Sequence, residues 1–362
     1  MLAEITIQKQ HFHSLDAIRG IAALLVALRH TSLFFGVRFQ ESYLAVDLFF
    51  ALSGVVIANA YEARLHSTLS FKTFMSLRLI RLWPLYILGT ALTVLAVGFG
   101  IYGTGGAGPF TALVLLSLFM FPDIADIGGH LYPLNYPAWS LFFELVVNAL
   151  YGKFVFLLKN RWLVLLMGLS ALGLAGCMMI ADDHTLQDMG WNFDTMGGGL
   201  FRAGYSFFAG ALLYRLFSSR KNSFQITGHD ASLTLLGIIG LITILLISMP
   251  GIALRPYFDF LAVTLIFPAI IYGALYVSPS GFAVRVCAFM GTTSYALYTL
   301  HVPVGILARG LLNNQFGLSI EQHAPQIGFV FMGLLIGFCW LIDIIYDLPF
   351  RRFLLKKMGQ KA

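Results

Sequence analysis

Eleven apolar runs separated by short polar segments account for most of the chain: 14–35, 44–60, 77–99, 110–121, 138–157, 162–180, 200–217, 233–249, 260–277, 292–312 and 326–346. Crossing about 30 Å of hydrocarbon takes roughly 20 helical residues at 1.5 Å of rise each. Ten runs approach that length. The run 110–121 (FTALVLLSLFMF) is far shorter and is expected to re-enter or to lie at the interface. The pattern predicts an all-α, polytopic integral membrane protein: one helical bundle with ten transmembrane helices plus one short re-entrant or interfacial helix. No internal repeat or low-complexity segment interrupts it. A single domain over 1–362 is expected, with its core at about 14–350 and short tails.

Composition sharpens this reading. Of 362 residues, 58% are hydrophobic and 11% charged, against about 25% charged in soluble domains. The mean hydropathy is +0.81. A disordered chain, a coiled coil and an ordinary soluble enzyme are excluded. The net charge of +6 would suggest nucleic acid in a soluble protein. Here the basic residues sit between apolar runs and read as topology signals. If 110–121 does not cross, seventeen of the 23 Lys and Arg fall on one side, Lys9, Lys221 and Lys361 among them. Arg38, Arg202, Arg255 and Arg309 fall on the other, and Arg19 and Arg29 lie within the first span. The positive-inside rule then puts both termini in the cytoplasm. Cys177, Cys287 and Cys339 show no CxxC or CxxH spacing, so neither a disulfide framework nor a metal site is expected.

Ionisable residues inside spans cost at least about 2.5–3.5 kcal/mol on insertion scales, so each calls for a partner or a task. In the first span, SLDAIRGIAALLVALRHTSLFFG, Arg19 and His30 are 11 residues apart. That is almost three whole turns, so both lie on one face. Asp16, three residues before Arg19, is placed to pair with it. Asp47 enters near the outer end of the second span, at a depth similar to His30. A carboxylate there would hold the imidazole's tautomer. Ser53-Gly54 marks close helix packing. Arg78 and Arg81, spaced i, i+3 at the cytoplasmic end of the third span, form a pair of guanidinium forks suited to a phosphate-rich ligand. Glu144 lies about two turns into the next crossing from the outer side, again near the depth of His30. Trp139 and Ser140 are expected at the outer interface. His301, in SYALYTLHVP, reads as a structural histidine. Asp343 and Asp347 are expected to pair with Arg351.

Together these segments resemble the acyltransferase 3 family of integral membrane acyltransferases. The resemblance rests on LDAIRGIAALLVALRH, VDLFFALSGVVIA, RLIRLWPLY, AWSLFFEL and SYALYTLHVP in that order, and runs from about 14 to 350. Two departures are Arg29, where many relatives carry an aromatic or neutral residue, and D-L-P near the C-terminus, where many have E-x-P. The resemblance implies transfer of an acyl group, often acetyl, from a cytosolic acyl-CoA to a hydroxyl of an extracytoplasmic or lipid-linked carbohydrate, in a bacterial cytoplasmic membrane. By the family's motif, Arg19, His30, Arg78 and Arg81 are the functional positions, with Glu144 a further candidate. The expected mechanism has His30 as general base, Asp47 or Glu144 orienting it, Arg19 or Arg29 stabilising negative charge, and Arg78 and Arg81 holding acyl-CoA. The rival class is a proton-coupled transporter or flippase. It accounts less well for Arg78 and Arg81, and the duplicated halves of many transporters are not evident.

Overall fold

The computed structural model describes residues 10–103, 107–220, 224–248 and 250–359. Lys9, Lys221 and Lys361, used in the orientation argument, lie outside the described residues. Each of the eleven apolar runs is a helical unit: α1 (His13–His30), α2 (Ala45–Leu65), α3 (Phe71–Gly98), α4 (Ala107–Leu118), α5 (Ala138–Phe154), α6 (Asn160–Ile180), α7 (Met196–Ser219), α8 (Gly228–Ile247), α9 (Arg255–Ala274), α10 (Phe282–Gln315) and α11 (Gln326–Lys357). The last three each contain one wide π-turn, at Ala262–Ile266, Leu311–Gln315 and Asp343–Asp347. The fold is nearly all-α. Among the described residues one two-stranded parallel ladder departs from it, pairing Ile226 with Val277 and Thr227 with Ser278 and tying the start of α8 to the end of α9.

Among the described residues, seven units are long and apolar enough to cross a membrane: α2 with the 3-10 turn before it, α3, α6, α8, α9, α10 and α11. The others are shorter or more polar. α1 carries Asp16, Arg19 and Arg29, α5 has 17 residues, and α7 opens on three glycines and carries Arg202 and Arg215. On α6 and α8, Leu172, Ile180, Leu236 and Ile244 are exposed. An apolar surface of this kind fits a helix that faces lipid rather than water.

The short helix α4 does not carry the chain from one end of the bundle to the other. Tyr102, just beyond α3, hydrogen-bonds Tyr136, just before α5, so the intervening segment leaves and returns at one end. Trp83 Nε1 donates to the Leu118 carbonyl at 3.0 Å, which sets the tip of α4 beside the middle of α3.

Two helix pairs position the site. α2 and α7 meet backbone to backbone: a Cβ on Gly54 would overlap the Phe207 carbonyl, and one on Gly210 would overlap that of Ala51. α1 and α10 meet through Gly20, which faces Met290, and Gly291, which faces Asp16. Without a strong solvophobic drive between helices in lipid, such small residues let the backbones pack closely. α10 also carries Pro303 inside the helix. Proline has no N–H to give the carbonyl four residues back, and Asn135 Nδ2 donates to that Thr299 carbonyl instead, at 3.3 Å.

Candidate active site

Arg78 lies seven residues into α3 and Glu144 six residues into α5, so each sits about two turns in. Their helices enter from opposite ends, and the side chains meet inside the bundle. Arg78 Nη2 donates to Glu144 Oε1 at 2.6 Å, and Ser53 Oγ donates to the same oxygen at 2.8 Å. This corrects two expectations. Arg78 is buried rather than extended to a membrane rim, and Glu144 is a partner of Arg78 rather than of His30. Ser53, read as packing alone, belongs to the same polar cluster.

These groups line a cavity of about 140 Å³ with Arg19, Arg81, Ser140, Tyr295 and Tyr298. Arg19 donates to Asp16 at 3.3 Å. Arg81 lies 3.5 Å from Asp347 and stacks over the Tyr295 ring at 4.8 Å. Asp347 is also 2.7 Å from Arg351, the partner expected for it. Three guanidinium groups thus share one small space. Arg78 Nε is buried without a hydrogen-bond acceptor, and Arg81 Nη1 has only the Asp347 carboxylate, at 3.5 Å and outside hydrogen-bond geometry; an unmet buried N–H costs about 1–3 kcal/mol. Donors and positive charge in excess are what an anionic occupant would satisfy.

His30 lines a second, larger cavity, of about 470 Å³, with Arg29, Arg38, Tyr43, Tyr136, Trp139, Gln187, Asp188 and Trp191. His30 is exposed there. Arg19, about 16 Å of helical rise away, faces the first cavity instead, so the structure separates the two positions of α1 expected to be functional. Arg29 is the cation beside His30. It donates to the Gln40 carbonyl at 2.6 Å and lies over the Tyr43 ring. Trp139 is a wall of this cavity, and Ser140 is buried, 2.6 Å from the Tyr298 hydroxyl. Tyr298 lines both cavities and forms part of the partition between them.

The expected orienting role of Asp47 does not fit this geometry. Asp47 is buried against Arg202, whose Nη2 donates to it at 2.6 Å and Nε at 3.2 Å. Arg202 spends its other N–H groups on the carbonyls of Tyr43, Leu186 and Met189. Arg202, expected among the basic residues on the outer side, is fully buried within α7. The pair joins α2, α7 and the connection before α7, and removing either member would strand a buried charge at about 3–5 kcal/mol. The partner of His30 is His301, expected from sequence to be a structural histidine. His301 Nε2 lies 3.0 Å from His30 Nδ1, brought there by the close packing of α1 on α10.

The family model described as an acyltransferase domain matches residues 12–344 of the chain. Over 177 residues the chain is 41% identical to "Protein 2 in picA locus" of Rhizobium radiobacter, a match covering 45% of this chain and 92% of that protein. Over 312 residues it is 25% identical to "Exopolysaccharide production protein ExoZ" of Rhizobium meliloti (strain 1021), covering 83% of this chain and 88% of that protein. No solved structure matches the chain.

Proposed function

The chain belongs to the acyltransferase 3 family, and on that premise we propose that it moves an acetyl group from cytosolic acetyl-CoA to a hydroxyl of an extracytoplasmic or lipid-linked polysaccharide. The observation that carries this reading is the pair of cavities that meet at Tyr298. The arginine cavity suits the negative charge of a coenzyme A donor. At about 140 Å³ it is smaller than the 300–1,000 Å³ of sites that enclose a whole ligand. The diphosphate would meet the arginines at the opening, where Arg81 is part-exposed, while the uncharged pantetheine arm carries the thioester past Tyr298. The second cavity, walled by Trp139, Trp191, Tyr43 and Tyr136 among polar groups, offers the aromatic faces and hydrogen-bond partners that a sugar needs. A polysaccharide acceptor also agrees with the name of the exopolysaccharide relative.

His30 acts as general base on the acceptor hydroxyl. As the oxygen attacks the thioester carbonyl, the proton passes to the imidazole and negative charge builds on the carbonyl oxygen. Arg29, one residue away, is the nearby cation that favours that charge. Collapse breaks the C–S bond, and the departing thiolate recovers the proton. In this reading Arg19, Arg78 and Arg81 hold the donor, and Glu144 fixes Arg78.

The membrane placement that goes with this has ten crossings, α4 re-entrant, both termini cytoplasmic and the protein in a bacterial inner membrane. It is supported by the basic-residue asymmetry and by the return of the 103–135 segment to one end. A single cysteine at Gly359 should react with an impermeant maleimide only after the cell is opened; labelling of intact cells would overturn the orientation. The function itself is tested by mass spectrometry of cell-envelope polysaccharide with and without this chain. Loss of acetyl mass increments on deletion, restored by the wild-type chain and not by His30→Ala, is expected. Unchanged acetylation would remove the polysaccharide acceptor.

A further inference from the structure

The two histidines dictate one another's protonation. His301 Nδ1 lies 2.9 Å from the Leu297 carbonyl, and a carbonyl oxygen only accepts. Nδ1 of His301 therefore carries the hydrogen, and in the neutral ring Nε2 holds a lone pair. That Nε2 faces His30 Nδ1 at 3.0 Å. His30 Nδ1 also lies 3.1 Å from the Val26 carbonyl. With an acceptor on each side, His30 Nδ1 must be the N–H, and the basic lone pair is left on Nε2. The assignment comes from fixed acceptors at both ends of the chain, not from the position of any hydrogen.

From this geometry we propose that His301 is a positioning residue that holds His30 in the Nδ1–H tautomer and presents its Nε2 as the base. The inference deepens the proposed acyl transfer and rests on that reading. His301 is fully buried, while His30 is exposed to the acceptor cavity, so only His30 can touch a substrate. The neutral His301 ring does what a carboxylate does in a serine-hydrolase triad: it accepts from the far nitrogen of the base and stabilises the imidazolium. The proton balance is complete within the step. The acceptor O–H proton goes to His30 Nε2 as the new C–O bond forms. His30 Nδ1–H strengthens its bond to His301 Nε2. When the C–S bond breaks, the thiolate takes the proton from Nε2, and both rings return to their starting tautomers.

His301→Leu removes the acceptor at similar bulk. His301→Gln replaces it with a side-chain carbonyl that can still accept from His30. Purified variants would be compared for transfer from labelled acetyl-CoA to deacylated exopolysaccharide. A hydrogen bond to a charged partner is worth about 1.5–3 kcal/mol, so His301→Leu should lower kcat by about ten-fold to a hundred-fold. KM for acetyl-CoA should be unchanged, and His301→Gln should recover most of kcat. In a His30→Ala background, His301→Leu should cause no further loss. A packing role predicts otherwise: equal losses for Leu and Gln, or a loss that persists without His30, would overturn the proposal, as would a wild-type kcat in His301→Leu. A fully active His30→Ala would instead overturn the base assignment itself, so the two failures are distinguishable.

Discussion

His30→Gln should lower turnover by a factor of about 10² to 10⁴, the usual worth of a general base, and leave the protein inserted and folded. The side chain opens into the second cavity, so its replacement creates no void in the packed core. Glutamine can reproduce a hydrogen bond but cannot accept the hydroxyl proton, so it should not rescue. The loss should fall on kcat, with KM for acetyl-CoA little changed, because the arginine cavity lies about 16 Å of helical rise away. Steady-state transfer by the purified variant checks this. Turnover near wild type would remove His30 from the chemistry.

Arg81→Ala should weaken acetyl-CoA binding by about ten-fold to over a hundred-fold, from the 1.5–3 kcal/mol of a charge-assisted contact. Arg81 is the better probe of the donor cavity because its loss strands little: Asp347 keeps Arg351 at 2.7 Å. Arg78→Ala would leave Glu144 without its guanidinium and confuse binding with stability. Arg81→Lys should recover the charge but not the fork or the stacking over Tyr295, and so restore affinity only in part. Calorimetric titration of the detergent-solubilised protein measures all three. Equal affinities for wild type, Arg81→Lys and Arg81→Ala would place the donor elsewhere.

The helices were legible because each apolar run is one helix. The run 162–180 became Asn160–Ile180, and the short 110–121 run became a helix whose segment returns to its own end. Boundaries slipped where a helix continues beyond its apolar stretch. Phe282–Gln315 begins ten residues before the run 292–312 because Arg285 and its neighbours extend the helix at its polar end. The two-residue ladder had no signal at all.

The site was legible residue by residue but not pair by pair. Periodicity shows which face of a helix a side chain occupies; it does not show which helix that face meets. Asp47 and His30 match in depth by sequence, yet Asp47 faces α7 and meets Arg202, 155 positions away in sequence. A signal was available in GGGLFRAGYS, where glycines surround Arg202 and mark a stretch packed against a neighbour. His301 gave less warning, since a histidine in an apolar run suits a structural role equally well. Only the approach of α1 to α10 through Gly20 and Gly291 puts it on His30. From sequence, Glu144 lies two turns in from the outer side and Arg78 at the cytoplasmic end of its span, and nothing in either run shows that the two side chains meet.

The claim that donor and acceptor occupy separate cavities on opposite faces is tested most directly in sealed vesicles. The purified protein would be reconstituted with deacylated exopolysaccharide trapped on the side away from the termini, and labelled acetyl-CoA added on the side of the termini. The account predicts label on the trapped polysaccharide and free coenzyme A on the side of addition, with neither formed by His30→Gln. Transfer only when donor and acceptor share one side, or no consumption of acetyl-CoA at all, would contradict it.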